Sequence, residues 1–431
     1  MYQFELSESL IPAQADDTVL ENTVGALLRR VARQHPEAPA LVEVEPDGQT
    51  SRRWTYAELL ADSEKLALTL SSRFDPGERI TVWAPNIPEW LVMEYACALA
   101  GLVLVTANPS YQAKELAYVL EQSGSVALFR VASYRGNPMV EIAEHAVAGL
   151  DAVREIVDME DPEAMSARGD QVSGLPVVRP EDAAQIQYTS GTTGFPKGAV
   201  LSHRSLTNNA RFYAQRACTT IDSSWSNFMP MFHTSGCGMV SLGCLQFACR
   251  MLLVKLFDPA AILRLIESEK VTAFLGVPTM LVALLESIRH EPRDVSSFDM
   301  VVSGGAMVAP ELVRNVRETF GCRFETVYGQ TETSPLITQH HHDDVLDDIC
   351  NTVGQPMPRT TVSIRSVKHN QVVPNDSIGE ICVQGYCNMI GYHGNPSATR
   401  ETIDESGWLH TGDLGAMDSR VMCGSQAELR K

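Results

Sequence analysis

From Arg79 onward the chain alternates short apolar runs with amphipathic stretches of helical length, and this alternation restricts the possible folds more than any other feature. ITVWAP (80–85), LVLVTANP (102–109) and SVALFRV (125–131) read as strands, with a helix started near Pro88 and a second over AKELAYVLEQSG (113–124) between them. The same rhythm resumes with the strand AAQIQY (183–188) and a helix from about Ser202. It continues through VTAFLGV (271–277) with PTMLVALLESI (278–288), and DMVVSGG (299–305) with PELVRNVRETF (310–320). Strands alternating with helices predict parallel sheets covered by helices. After about Asn351 the texture changes to TVSIRSV and GEICVQG, short alternating strands set off by Pro, Gly and Asn turns, which predict a small β-barrel or open β-layer. The expected fold is therefore α/β, with two helix-covered, mostly parallel sheets and a β-rich unit. The expected divisions are residues 1–180, 181–350 and 351–415, with a separate tail at 416–431. Residues 159–180 are the expected connection between the two sheets.

Between the strand ending near Tyr188 and the next helix lies YTSGTTGFPKGAV (188–200). Gly191, Gly194 and Gly198 let backbone approach a ligand closely, Thr189, Ser190, Thr192 and Thr193 bring hydroxyls, and Lys197 brings a mobile positive charge. That is the chemistry of a polyphosphate cradle. An ordinary turn needs only one or two special residues, and the order of Lys197 between Pro196 and Gly198 departs from the Gly-Lys-Ser/Thr order of a Walker loop.

The loop resembles the phosphate-binding signature of the adenylate-forming superfamily, which includes acyl-CoA synthetases, luciferases and the adenylation domains of peptide synthetases. MPMFHTSG (229–236), GVPT (276–279), SGGA (303–306), VYGQTET (327–333), GEICVQG (379–385) and GWLHTGDLG (407–415) follow in that family's order. The resemblance implies an enzyme that joins a carboxylic acid to AMP and then to coenzyme A. Its cofactors and co-substrates would be ATP, Mg²⁺ and CoA. It assigns Thr192, Lys197, His233, Thr331 and Glu332 to catalysis, with Glu332 as the Mg²⁺ ligand. It assigns Thr189, Ser190, Gly191, Thr193, Gly194, Gly304, Gly305, Ala306, Tyr328, Gly329 and Asp413 to the nucleotide. Within that set Tyr328 meets the adenine, Thr331 the α-phosphate and Asp413 both ribose hydroxyls, a task suited to a two-oxygen acceptor. His233 lines the acyl and pantetheine path. Taken singly, Thr331-Glu332 reads as a helix cap, Gly304-Gly305 as a left-handed turn and His233 as a structural histidine. Only the ordered set reverses those readings.

The stretch after His233, TSGCGMVSLGCLQFACRMLLV (234–254), is apolar and rich in small residues, which suits an acyl chain better than an amino acid. The phrases NPSYQAKELAYVLEQSG and NMIGYHGNPSATRETIDESGWLHTGDLG look most like bacterial medium- or long-chain fatty-acyl-CoA synthetases. An aryl acid ligase and a non-catalytic acyl- or nucleotide-binding remnant are the alternatives. His340, His341, His342, Asp343 and Asp344 are consecutive and point in different directions, so they are not expected to share one ion.

The net charge of −19 disfavours nucleic acid and anionic membranes as partners. Ten scattered cysteines without a C-x-x-C pair suggest reduced thiols in the cytoplasm. The start MYQFELSESL lacks the pattern of a secretory leader, and the most apolar stretch, 90–105, carries Glu94, so it reads as a buried helix and strand rather than a membrane span. The family continues past its aspartate motif into a hinge and a C-terminal domain, whereas this sequence continues as AMDSRVMCGSQAELRK, with that domain expected to be missing. One choice of codons for 420–431, read one base out of register, gives Gly-Tyr-Val-Arg-Ile-Ala-Gly-Arg-Ala-Gln-Glu, similar to the hinge entry. A one-nucleotide deletion at codon 420, and impaired activity, are the corresponding expectations.

Overall fold

The computed structural model describes residues 6–167, 169, 174–189, 196–420 and 423–426. Three sheets organise them. The first has seven strands in the order Gly391–Tyr392, Lys197–Ser202, Ala183–Thr189, Val103–Thr106, Arg79–Trp83, Ala127–Arg130, Glu155–Asp158. Its last five strands are parallel, as the strand–helix alternation requires. The second has nine, ordered Gln355–Pro356, Leu336–Gln339, Arg323–Gly329, Met300–Ser303, Ala273–Gly276, Ser224–Asn227, Arg250–Val254, Pro39–Val44, Thr50–Thr55. Six adjacent members, from Arg323–Gly329 to Pro39–Val44, run parallel. The third is the β-rich unit, five antiparallel strands ordered Leu10–Ile11, Thr360–Arg365, Gly379–Gly385, Leu409–Met417, Cys423–Gln426.

The helices start and stop where local chemistry dictates. Helix Pro88–Ala100 opens with proline at its first position and ends at Gly101, whose φ of 68° is left-handed. It is buried along nearly its whole surface, Glu94 included, as expected for a helix between sheets. Helix His203–Arg216 is capped by Ser202, whose hydroxyl accepts the Ser205 N–H. One large core joins both parallel sheets and their helices, with Trp83, Trp90, Phe129, Phe212, Trp225 and Phe274 fully buried. A small core of Ile11, Ile337, Val362, Ile364, Ile381, Val383 and Met417 lies against the antiparallel sheet.

Two expectations need correction. The residues after the phosphate loop do not pass directly into a helix: Lys197–Ser202 turns back as a strand antiparallel to Ala183–Thr189, with Thr189 opposite Lys197. The run Ala199-Val200-Leu201 supplies β-forming side chains that this hairpin buries, so the loop is a hairpin tip and the helix waits for the Ser202 cap. Nor do the sheets divide at residue 180. Pro39–Val44 pairs in parallel with Arg250–Val254, and Ala183–Thr189 pairs in parallel with Val103–Thr106. Apolar strands with compatible edges pair in space irrespective of their order along the chain. Within 159–180 the structure adds a five-residue helix, Pro162–Ser166.

Candidate functional site

The carboxyl ends of the parallel strands open into one cavity of about 1290 Å³, where ligands of open α/β sheets sit. Single-ligand pockets run to roughly 1,000 Å³, so there is room for more than one small molecule. Its walls come from all three sheets: Thr189 and Lys197 from the hairpin, Gly304, Gly305, Gly329, Thr331 and Glu332 from the nine-stranded sheet and the turn after it, and Glu380, His410, Thr411 and Gly412 from the antiparallel sheet. His233, Met229, Phe232, Met239, Val277 and Met280 give it an apolar flank.

Glu332 lies on the short 3₁₀ turn Thr331–Thr333 that follows strand Arg323–Gly329. The Thr189 hydroxyl donates to its Oε1 at 3.2 Å, and Tyr392 Oη donates to the same oxygen at 2.7 Å. Lys197 Nζ stands 4.9 Å from the Tyr392 ring centroid, a cation–π distance that holds the ammonium beside that carboxylate. The turn after Val327 thus brings a carboxylate, two hydroxyls and a cation to one place.

Tyr328 Oη donates to Asp413 Oδ2 at 3.1 Å. Burial, with the Asp413 charge beside it, pushes the Tyr328 phenol well above its ordinary pKa, so it remains a donor. Gly304 and Gly305 line the cavity after strand Met300–Ser303, and Ala306 beside them is exposed. A Cβ on Gly304 would stand 2.5 Å from Val327 Cγ2 and 2.7 Å from the Val327 carbonyl oxygen, so only glycine fits there. Gly329 is likewise restricted, its hypothetical Cβ falling 2.0 Å from the Pro335 oxygen.

His233 is exposed to the cavity. Its Nδ1 accepts the Ser235 N–H at 3.2 Å, and desolvation by the surrounding walls lowers its pKa, which favours the neutral ring. The chain then enters a π-helical turn, Ser235–Ser241, in which the Met239 N–H reaches the Thr234 carbonyl five residues back. This widened turn brings Ser235 and Met239 to the cavity wall. Its Cys237 belongs to a buried polar chain: Gln187 Nε2 donates to Cys237 Sγ at 3.2 Å and to Gln185 Oε1 at 2.8 Å, and Gln185 Nε2 donates to Glu94 Oε1 at 2.7 Å. Burial pushes the Glu94 carboxyl up to about 8.

Of the expected site residues, Thr189, Lys197, His233, Gly304, Gly305, Gly329, Thr331 and Glu332 line this one cavity, and Tyr328 and Asp413 meet each other in its wall region, Gly412 being a lining residue. Ser190, Gly191, Thr192, Thr193 and Gly194 lie outside the described residues. Sequence reasoning missed Tyr392, Glu380 and His410. Tyr392 follows a glycine in NMIGYHGN and joins the site only because Gly391–Tyr392 pairs with the hairpin strand. Met229 and Met239 face the cavity, while Met231 and Met251 are buried core residues that both approach Asn227 Nδ2. In the histidine run, His340 is occupied by Thr326 Oγ1 at 2.7 Å and Thr352 Oγ1 at 3.0 Å, and burial lowers its pKa to about 4.

The sequence profile of the family described as AMP-binding enzyme matches residues 28–393, most of the chain. The chain belongs to that family. A Bacillus subtilis (strain 168) protein named as the acyl-CoA synthetase YngI is 33% identical over 434 residues, covering 94% of this chain and 78% of the relative. Human medium-chain acyl-CoA ligase ACSF2, mitochondrial, is 31% identical over 436 residues, covering 93% and 70%. Among solved structures, the O-succinylbenzoate coenzyme A synthetase MenE from Bacillus subtilis, in complex with AMP, is 27% identical with a TM-score of 0.80, covering 95% of this chain and 79% of that one. The chain is thus a member of an acid-thiol ligase family, with the mixed α/β architecture of its adenylate-forming members. Among the described residues, no helix is long and apolar enough to cross a membrane.

Proposed function

We propose that this protein activates a medium- or long-chain fatty acid with ATP, forming an acyl-AMP and pyrophosphate, and then passes the acyl group to the thiol of coenzyme A. One observation supports this reading above the others: Thr189, Lys197 and Glu332 share a cavity with an apolar flank, beside the Tyr328–Asp413 pair. In the first step a carboxylate oxygen attacks the α-phosphorus, and the bond to the β-phosphate oxygen breaks. The site must hold two anions together and stabilise the pyrophosphate that leaves.

The hairpin tip, with the Thr189 hydroxyl and Lys197, is assigned to the β- and γ-phosphates. Thr331 is assigned to the α-phosphate, Gly304 and Gly305 to the adenine face, and Asp413, held by Tyr328, to the ribose hydroxyls. Glu332 offers carboxylate oxygens to the cavity, the hard-donor chemistry that fits Mg²⁺ shared with substrate phosphates. When bound, Mg²⁺ would supply charge neutralisation to the phosphate oxygens. His233, neutral and followed by an apolar wall of Met239, Val277 and Met280, is assigned to the acyl path. The ten free cysteines agree with a reducing, cytosolic location.

A second reading, activation of an aryl acid, is favoured by the likeness to MenE. A pyrophosphate-release assay with octanoate, palmitate, benzoate, coumarate and O-succinylbenzoate, followed by detection of the CoA thioester, separates the two. Saturable release with the alkyl acids supports the fatty-acid reading. Release with aryl acids alone replaces it, and release with no acid refutes carboxylate activation.

A further inference from the structure

The antiparallel sheet carries a second cluster of donor atoms that the adenylation chemistry does not use. Glu380 and Cys382 lie two residues apart on strand Gly379–Gly385, and His410 is the direct cross-strand partner of Cys382 on strand Leu409–Met417. His410 Nδ1 lies 2.9 Å from Glu380 Oε2 and 3.4 Å from Cys382 Sγ, and all three donor atoms lie within 4.8 Å of one another. The other imidazole nitrogen, Nε2, faces Asp404 Oδ2 at 3.5 Å. Asp404 is itself fixed by the N–H groups of Ser406 and Trp408. The second Glu380 oxygen is occupied by the Gly412 N–H at 2.8 Å, which leaves Oε2 turned to the histidine.

We propose that Glu380, Cys382 and His410 form a binding site for a borderline-soft divalent cation of the zinc class, with its remaining coordination position open to the cavity. Bond lengths of roughly 2.0–2.3 Å to nitrogen, oxygen and sulfur place tetrahedral ligands about 3.3–3.7 Å apart. The present separations bracket that spacing, so an ion needs the His410–Glu380 contact to widen by only a few tenths of an ångström. One nitrogen, one thiol sulfur and one carboxylate oxygen select zinc or cobalt over magnesium, which avoids sulfur. The Asp404 carboxylate opposite the free ring nitrogen is the outer partner that metal-bound histidines ordinarily have, holding the ring with Nδ1 toward the ion. Glu380 and His410 line the cavity while Cys382 is buried, so the open position faces the interior of the site rather than bulk solvent. On binding, the Cys382 thiol loses its proton to the buffer and the sulfur takes the metal.

Cobalt(II) titration of the purified protein, in the absence of nucleotide, tests this. One equivalent is expected to produce a thiolate-to-cobalt charge-transfer band in the near ultraviolet together with visible bands of four-coordinate cobalt, and one equivalent of Zn²⁺ is expected to bleach both. Cys382→Ser should remove the charge-transfer band. His410→Gln, at a position that is only half-buried, should weaken zinc binding by calorimetry at least tenfold, and circular dichroism checks that each variant is folded. The proposal is overturned if the folded wild type gives no thiolate band. It is overturned equally if the band persists unchanged in His410→Gln, since the ion then sits on other cysteines.

Discussion

At the scale of single residues, the proposed phosphate site depends on how Glu332 is held. Its Oε1 receives two hydroxyls, and the shorter contact comes from Tyr392. A hydrogen bond to a charged acceptor contributes roughly 1.5–3 kcal/mol, so Tyr392→Phe is expected to lower kcat/KM for ATP roughly tenfold or more. The KM for the acid should change little, as Tyr392 stands away from the apolar flank. Steady-state kinetics with each substrate varied in turn will show whether the loss falls on the nucleotide side. Lys197→Ala removes the cation beside the same carboxylate, and a loss on the order of 10²-fold in kcat is expected from the pyrophosphate-release rate.

Glu94 leads to a prediction of a different kind. Its folded pKa of about 8 lies above its ordinary value of 4.5, so between those values the folded protein holds a proton that the unfolded chain has released. Stability from this group is complete below about pH 4.5 and is lost as the pH rises through 8. Glu94→Gln keeps a neutral hydrogen-bonding side chain and should flatten the decline. Thermal melts at pH 6 and pH 8 are expected to differ less for the variant than for the wild type. An equal difference in both would mean that Glu94 is not protonated in the fold.

At the scale of elements, the close approach between strands Met300–Ser303 and Arg323–Gly329 makes Gly304 irreplaceable. Gly304→Ala forces its methyl against Val327, and overpacking of this sort costs about 1–3 kcal/mol. Urea denaturation should record the loss as a lower midpoint at unchanged m value, accompanied by weaker nucleotide binding.

The strands themselves were legible because each is short, apolar and bounded by Gly or Pro: Val103–Thr106 ends before Asn108-Pro109, and Met300–Ser303 ends at Gly304-Gly305. The course of Lys197–Ser202 was not legible, because a six-residue apolar run has no periodicity that says it turns back on its predecessor. Pairing across long distances was equally hidden. Nothing local to Pro39–Val44 reveals Arg250–Val254 as its neighbour, and nothing local to Tyr392 points at Glu332. The ordered motifs located Lys197, Glu332 and Asp413, yet Glu380, Cys382 and His410 become a cluster only once two strands lie in register.

At the scale of the whole molecule, the cavity is a junction of three sheets, with its polar wall supplied by one set of residues and its apolar flank by another. The length of acid accepted should therefore be set independently of the nucleotide. Val277→Trp or Met280→Trp, placed on the apolar flank, is expected to shift the preference toward shorter acids by at least one order of magnitude in kcat/KM between octanoate and palmitate. The KM for ATP should remain near its original value. A uniform loss with every acid would show that the chain enters elsewhere.

The pairing of Leu10–Ile11 with Thr360–Arg365 has a consequence for how the molecule comes into being. A ribosome releases the first of these strands long before it makes the second, and Pro39–Val44 waits similarly for Arg250–Val254. Closure over such sequence separations is slow, and until it occurs the nascent chain displays unmated strand edges. For most of its synthesis this polypeptide is a client for chaperones, and its final architecture is sealed only after residue 365 has emerged.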